Sequence, residues 1–359
     1  MYIFSSNVVG GDSILHEKRI INREQLRDML DIFGFRDVED ADYTVGIFDE
    51  HRLVGFGSLC GDIIVGVVVS KEAQNEGISA KIISHLIKIA VDQKRSTVYL
   101  YTKPENAHFF ISLGFRLVAE APPYATMLEW GSRVLEFYIE QLNRQAFEGQ
   151  PESAVIVMNA NPFTNGHKYL VEKAAAENDY LYVIVVEEDR SLFSFDVRLT
   201  LAKKCTAHLA NVRVLSGGRY CVSALTFPSY FTQESKLATA HASIDLAIFA
   251  AHIAPALNVK IRYVGTEPHS EVTCVYNETM THFLPAQGIK VAEIPRISMG
   301  GEAVSASAIR HLLAEPWLTE HNMMKLRSLV PPPTYAYIVD HWEQLVNRSV
   351  GSLKGEHIQ

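Results

Sequence analysis

Apolar and polar positions change period several times along the chain, and the changes divide it into two α/β halves. Leu26, Met29, Leu30 and Phe33 recur at helical spacing, and the runs 43–48 and 53–59 read as two strands of a hairpin turning at 49–52. A third apolar run, 63–69, leads through the polar loop 70–77 into an amphipathic helix whose buried face is carried by Ile82, Ile83, Leu86, Ile87 and Ile89. A strand at 97–101, a helix at 105–113 stopped by Gly114, and a strand at 115–119 complete the first half.

The second half opens with a buried-type strand at 154–158, after which a loop rich in Gly, Pro and Asn runs directly into a helix at 167–176. Further strands at 180–186, 212–215, 260–264 and 289–294 alternate with helices near 196–209 and 243–253. Such alternation implies a parallel sheet covered by helices on both faces. The expected organisation is a first domain at 1–130, a polar helix-like connector at 131–150, a second domain at 151–315, and a helical extension at 316–359. In that extension Pro331-Pro332-Pro333 reads as a rigid turn before a packing helix.

Length and charge narrow the classes. At roughly 150 residues per domain, 359 residues with 48% hydrophobic side chains suit two domains that each bury a core. Thirty-three basic against forty-one acidic side chains give a formal charge of −8, and no Lys/Arg block is present to neutralise a row of phosphates. Neither nucleic acid nor an anionic membrane is an expected partner. Cys60, Cys205, Cys221 and Cys274 form no C-x-x-C pair, and no H-x-x-x-H or H-E-x-x-H occurs, so no zinc site or disulfide framework is expected. The first residues lack the pattern of a secretion signal, and no apolar stretch approaches the ~20 residues needed to cross a bilayer, which suits a cytoplasmic protein.

The strongest chemical signal is the segment Met158-Asn159-Ala160-Asn161-Pro162-Phe163-Thr164-Asn165-Gly166-His167-Lys168, set between a buried strand and a helix start. Ligands of open parallel sheets bind beyond the carboxyl ends of strands, where a helix N-terminus offers unpaired N–H groups and the positive end of its dipole. Gly166 permits close backbone approach, while Thr164, His167 and Lys168 bring a hydroxyl, an imidazole and an ammonium to one anion. The plain alternative is an ordinary helix start capped by Asn165. Later, Val304-Ser305-Ala306-Ser307-Ala308-Ile309-Arg310 begins another helix with hydroxyls at alternate positions and Arg310 one turn further on. Taken alone, Ser305 and Ser307 read as helix caps; as a second anion-binding helix start in one domain they gain weight.

These two segments resemble the T/H-x-G-H and S-x-S-x-x-R motifs of the nucleotidylyltransferase superfamily, in the expected order, with Thr164 at the first position. Val264-Gly265-Thr266-Glu267-Pro268 matches the place where that superfamily contacts its nucleotide, and the segment Phe193 to Arg198 resembles the opening of its second helix. In the first half, Gln74-Asn75-Glu76-Gly77-Ile78-Ser79 resembles the Q/R-x-x-G-x-G/A loop by which GNAT-like acetyltransferases hold coenzyme A pyrophosphate, with Ser79 in place of Gly or Ala. Asn106 to Phe110 followed by Leu113-Gly114-Phe115 adds to that likeness.

Over essentially the whole chain the order of parts resembles the citrate lyase ligase family. The resemblance implies a GNAT-like mixed-sheet domain joined to a Rossmann-like parallel-sheet nucleotidylyltransferase domain with a helical C-terminal extension. It implies an enzyme that uses ATP and Mg²⁺ to activate acetate as acetyl-AMP, then acetylates the thiol of the citrate lyase acyl-carrier subunit, whose prosthetic group derives from dephospho-coenzyme A. His167, Lys168 and Arg310 would be catalytic. Asn161, Phe163, Thr164, Gly166, Gly265, Thr266, Glu267, Ser305 and Ser307 would line the nucleotide site. Gln74, Gly77, Ser79 and Asn106 would meet the coenzyme A-like arm. Two rival readings keep the same clefts: an adenylyltransferase acting on a phosphate monoester such as phosphopantetheine, and an acetyl-coenzyme A or nucleotide sensor without turnover.

Overall fold

β-Branched runs and Gly-marked turns set out the first strands, and a computed structural model describes residues 15–33, 41–74, 76–187, 191–222, 234–266, 271–299, 302–314 and 319–355. The chain divides into two units, residues 1–137 with 228–247, and residues 138–227 with 248–359.

The first unit holds β1 (Leu15–Arg19), α1 (Arg27–Phe33), β2 (Tyr43–Asp49), β3 (Arg52–Cys60), β4 (Ile63–Val69), α2 (Ile78–Asp92), β5 (Thr97–Thr102), α3 (Ala107–Ser112), β6 (Arg116–Ala121) and β7 (Ala125–Gly131). These strands form one sheet in the order β1-β2-β3-β4-β5-β7-β6. The expected hairpin is present but tighter: Asp49 pairs with Arg52, leaving Glu50 and His51 in the turn, with Glu50 at φ 52°. β4 and β5 pair in parallel only at Ile63 with Tyr99 and Ile64 with Leu100, and their ladder stops there. α2 buries Ile78, Ile82, Ile83, Leu86 and Ala90 in a core shared with Val45, Leu59, Val98 and Leu128. The helical stripe expected from the sequence is thus the face that seals the sheet.

α4 (Val134–Gln145) follows. The second unit then carries β8 (Ser153–Met158), α5 (Asn165–Glu177), β9 (Leu181–Val185), α6 (Phe195–Thr206) and β10 (Val212–Ser216). The helix expected near 243–253 is longer: α7 (Glu234–Ile248), which belongs to the first unit up to Ala247, runs on through a π-helical turn, Phe249–Ile253, into α8 (Ala254–Ala256). β11 (Val259–Gly265), α9 (Glu271–Ala286) and β12 (Lys290–Ile294) complete a five-stranded sheet in the order β10-β9-β8-β11-β12, parallel throughout. Its inner strands read as near-continuous apolar runs and are buried along almost their whole length; on one face Ile156, Val183 and Val185 pack with Val171 and Ala174 of α5 and Leu201 and Ala202 of α6.

Two short strands, β13 (Ser298–Met299) and β14 (Glu302–Ala303), precede α10 (Ala306–Leu312), α11 (Glu320–Leu329), α12 (Pro332–Asp340) and α13 (Trp342–Gly355). The prolines do not form a separate turn: Pro331 caps α12, and Pro332 and Pro333 fill its first turn, where a missing N–H removes no helical bond. These last helices bury Leu326, Leu329, Ile338, Trp342 and Leu345 around Phe193, Val304 and Ile309. Among the described residues no helix is long and apolar enough to cross a membrane.

Candidate functional site

Parallel strands put the carboxyl ends of neighbouring β8, β11 and β12 at one edge of the sheet, the edge where such sheets bind ligands. β8 leaves that edge through a buried turn in which Ala160 has φ 50°, Phe163 is fully enclosed, and Asn161 and Thr164 are buried. Thr164 caps α5. Its hydroxyl accepts the His167 backbone N–H at 3.2 Å, while its own backbone N–H donates to Nδ1 of the His167 ring at 3.0 Å, and the hydroxyl lies 2.9 Å from the same nitrogen. An amide N–H can only donate, so Nδ1 accepts and the neutral ring carries its proton on Nε2. Burial, and secondarily the positive charge of Arg296, pull the His167 pKa down from 6.5 to about 4. At neutral pH the ring is an uncharged donor held by its own helix cap.

α10 supplies the second helix start. Ser305 caps it by accepting the Ala308 N–H at 3.2 Å. Arg310 donates from Nη1 to the Asn161 carbonyl at 2.8 Å and from Nη2 to Oγ of Ser307 at 2.8 Å. Burial lowers the Arg310 pKa from its ordinary value, and a guanidinium stays charged in proteins even so. A Cβ at Gly166 would lie 2.9 Å from the Val304 carbonyl oxygen, so the two helix beginnings touch backbone to backbone, as only glycine allows. Asn165 does not cap α5; its side-chain amide donates to the Ser328 carbonyl at 2.8 Å, tying α5 to the end of α11.

The other expected residues are less tightly drawn in. Lys168 points down α5, with Nζ 3.6 Å from Glu172, whose carboxylate also meets His208 at 2.9 Å. Gly265 ends β11, and Thr266 follows it, its N–H donating to the Ile294 carbonyl at 3.1 Å and its hydroxyl accepting the Arg296 N–H at 3.2 Å. Glu267 and Pro268 lie outside the described residues. The motif reading placed Arg198 only in a segment resembling the opening of the second helix; the structure shows a fully buried guanidinium that donates to the carbonyls of Asn159, Val186 and Phe193. Its signal was an arginine in the first turn of a helix whose neighbours are apolar. Among the described residues no group of three His, Cys, Asp or Glu side chains is arranged to hold a metal.

In the first unit, Gly77 caps α2 at φ 71° with open space where a Cβ would stand, leaving the first-turn amides without helical partners. Gln74 is exposed ahead of it, Ser79 sits half-buried in the first turn, and Asn75 lies outside the described residues. Asn106 is exposed on the loop that follows β5, where it ends a 3₁₀ turn before α3.

The family model for the citrate lyase ligase C-terminal domain matches residues 153–338, and the GNAT acetyltransferase model matches residues 14–115. A [citrate [pro-3S]-lyase] ligase of Klebsiella pneumoniae is 38% identical over 307 residues, 84% of this chain and 88% of its own. Its namesake in Escherichia coli (strain K12) is 35% identical over 330 residues, 89% of this chain and 92% of its own. The chain belongs to the citrate lyase ligase family. A phosphopantetheine adenylyltransferase of Nautilia profundicola is 25% identical over 144 residues, 36% of this chain and 92% of its own. The family thus joins a GNAT-like mixed sheet to a parallel sheet with nucleotidylyltransferase-like relatives and a helical end, as the motifs imply. Thr164, His167, Arg198 and Arg310 all fall within the family's C-terminal match.

Proposed function

We propose that this family member is an ATP-dependent ligase that activates citrate lyase by acetylating the thiol of its acyl-carrier prosthetic group. A carboxylate oxygen of acetate attacks the α-phosphorus of ATP; a new O–P bond forms, the bond to the β-phosphate breaks, and pyrophosphate leaves. The carrier thiolate then attacks the acetyl carbon of acetyl-AMP, forming the C–S bond and releasing AMP, with the thiol proton passing to solvent.

The observation that carries this reading is the Arg310–Asn161 hydrogen bond, which joins the starts of α5 and α10 beside His167. Transfer of this type is helped chiefly by alignment and by charges aimed at oxygens that gain negative charge. His167 donates from Nε2 to an α-phosphate oxygen, Arg310 balances charge on the phosphates, and Thr164, Ser305 and Ser307 supply hydroxyls. Asn161, Phe163 and Gly166 shape the loop, and Gly265, Thr266 and Glu267 meet the nucleotide at the end of β11. Lys168 leaves Glu172 for the triphosphate, a change its flexible stem permits. Magnesium entering with ATP would neutralise charge on the leaving phosphates; among the described residues no group of three His, Cys, Asp or Glu side chains could hold it, so Thr164, Ser305 and Ser307 would face the phosphates that bring it.

In the first unit, the amides at the start of α2 grip the pyrophosphate of the carrier's coenzyme A-like arm, with Gln74, Gly77, Ser79 and Asn106 around it. Pyrophosphate exchange into ATP separates the readings: exchange that depends on acetate, with label from acetate reaching the carrier, supports the ligase. Exchange that depends on phosphopantetheine instead would support the adenylyltransferase reading that the Nautilia relative favours. Nucleotide binding with no exchange would leave a sensor.

A further inference from the structure

We infer that Arg198 is a positioning residue of the nucleotide site, setting the turn after β8 at the height the α-phosphate chemistry requires. Its side chain is fully buried, and Nε donates to the Phe193 carbonyl at 3.0 Å. Nη1 donates to the Asn159 carbonyl at 2.8 Å, to Oδ1 of Asn159 at 2.8 Å and to the Val186 carbonyl at 2.7 Å. One planar fork therefore ties together three segments: the turn leaving β8, the residue after β9 and the turn entering α6.

The fork is linked to the reacting end of the site. Phe193, held at its carbonyl by Arg198, donates its N–H to Oδ1 of Asn161 at 3.1 Å. Asn161 in turn accepts Arg310 at its carbonyl at 2.8 Å. A continuous run of hydrogen bonds thus leads from Arg198 through Phe193 and Asn161 to Arg310, along the turn that ends in Thr164 and His167. A buried cation is expensive unless its donors are met, and apolar packing would fill the same volume as well if only the core were at stake. Lysine cannot replace it, because a single ammonium cannot reach carbonyls on three segments in a planar fan.

The inference rests on the nucleotide site proposed above, and its test keeps the two apart. Arg198→Lys and Asn159→Ala, each in the full chain, are assayed for acetate-dependent pyrophosphate exchange and for unfolding temperature, and the ¹⁵N shifts of the His167 ring are recorded. Misplacing the turn should lower kcat on the order of 10²-fold in Arg198→Lys and about tenfold in Asn159→Ala, with KM for ATP within about threefold of wild type. Asn159→Ala should lower the unfolding temperature by only a few degrees, because Nη1 of Arg198 keeps the Asn159 and Val186 carbonyls as acceptors. Folded Arg198→Lys with wild-type kcat would overturn the inference. If Arg198→Lys does not fold, Asn159→Ala decides alone, and wild-type kcat there overturns it. A wild-type protein without exchange would refute the proposed activity; the brace is then judged on the His167 ring shifts, which must move in the variants for it to stand.

Discussion

The backbone N–H of Thr164 donates to Nδ1 of His167 at 3.0 Å, so the residue that begins α5 also chooses the tautomer of the ring one turn along. The proton left on Nε2 is the donor that the proposed transfer to acetate calls for. His167→Ala should therefore lose on the order of 10²–10³ in the rate of acetate-dependent pyrophosphate exchange. Thr164 still caps the helix through its hydroxyl, so circular dichroism should report an intact fold. Full exchange activity in the folded variant would remove His167 from the mechanism.

Acid should weaken the protein through the same ring. His167 ionises near 6.5 when unfolded and near 4 when folded, because burial and then Arg296 oppose its charge. The unfolded chain binds this proton first, so the His167 contribution is complete above about pH 6.5 and is lost as pH falls toward 4. Denaturant midpoints measured between those limits should fall less steeply in His167→Gln than in wild type. NMR titration should give the wild-type ring a pKa well below the ordinary histidine value, and Arg296→Gln should raise it.

Gly166 separates two backbones. An added methyl would meet the Val304 carbonyl at 2.9 Å, and a backbone atom cannot swing aside as a side chain can. Gly166→Ala should push the starts of α5 and α10 apart at a cost of about 1–3 kcal/mol in stability. Because the displaced atoms carry Thr164, His167 and Ser305, exchange activity should fall by about 10²-fold at temperatures where the variant is still folded. Thermal unfolding and exchange kinetics on one sample check both halves of this expectation.

What the sequence disclosed, and what it concealed, follows from the kind of interaction each residue makes. The turn from β8 into α5 stood out because its motif sets particular residue types at fixed spacing, with Gly166 between Thr164 and His167; that Thr164 and not Asn165 caps the helix is seen only in the hydrogen bonds. β1 and β7 were not anticipated. β1 is exposed at four of its five positions and so carries no apolar alternation. β7 hides Glu129 in its interior, paired with Arg116 at 3.1 Å, which breaks the pattern a central strand normally shows. Arg198 was concealed for another reason: its partners are mainly backbone carbonyls, which every residue has, so nothing in their sequence marks them. Lys168 was assigned to the phosphates by position, but spacing of four residues along α5 also offers it Glu172.

The role proposed for the first unit is open to a test that leaves the nucleotide site untouched. Gly77 adopts φ 71° at the start of α2, and no atom stands within 4 Å of where its Cβ would be. Aspartate enters the left-handed region at modest cost, so Gly77→Asp should fold. Its carboxylate would then stand where the pyrophosphate of the carrier's arm is meant to lie, repelling it and competing for the helix's free amides. Acetate-dependent pyrophosphate exchange should stay within about twofold of wild type, whereas KM for the carrier should rise about tenfold or more, the expected size for a misplaced like charge at a phosphate. The effect should shrink as salt is added, since an exposed charge is screened. Transfer to the carrier at the wild-type KM would show that the arm is held elsewhere, and the mixed sheet would then need another role.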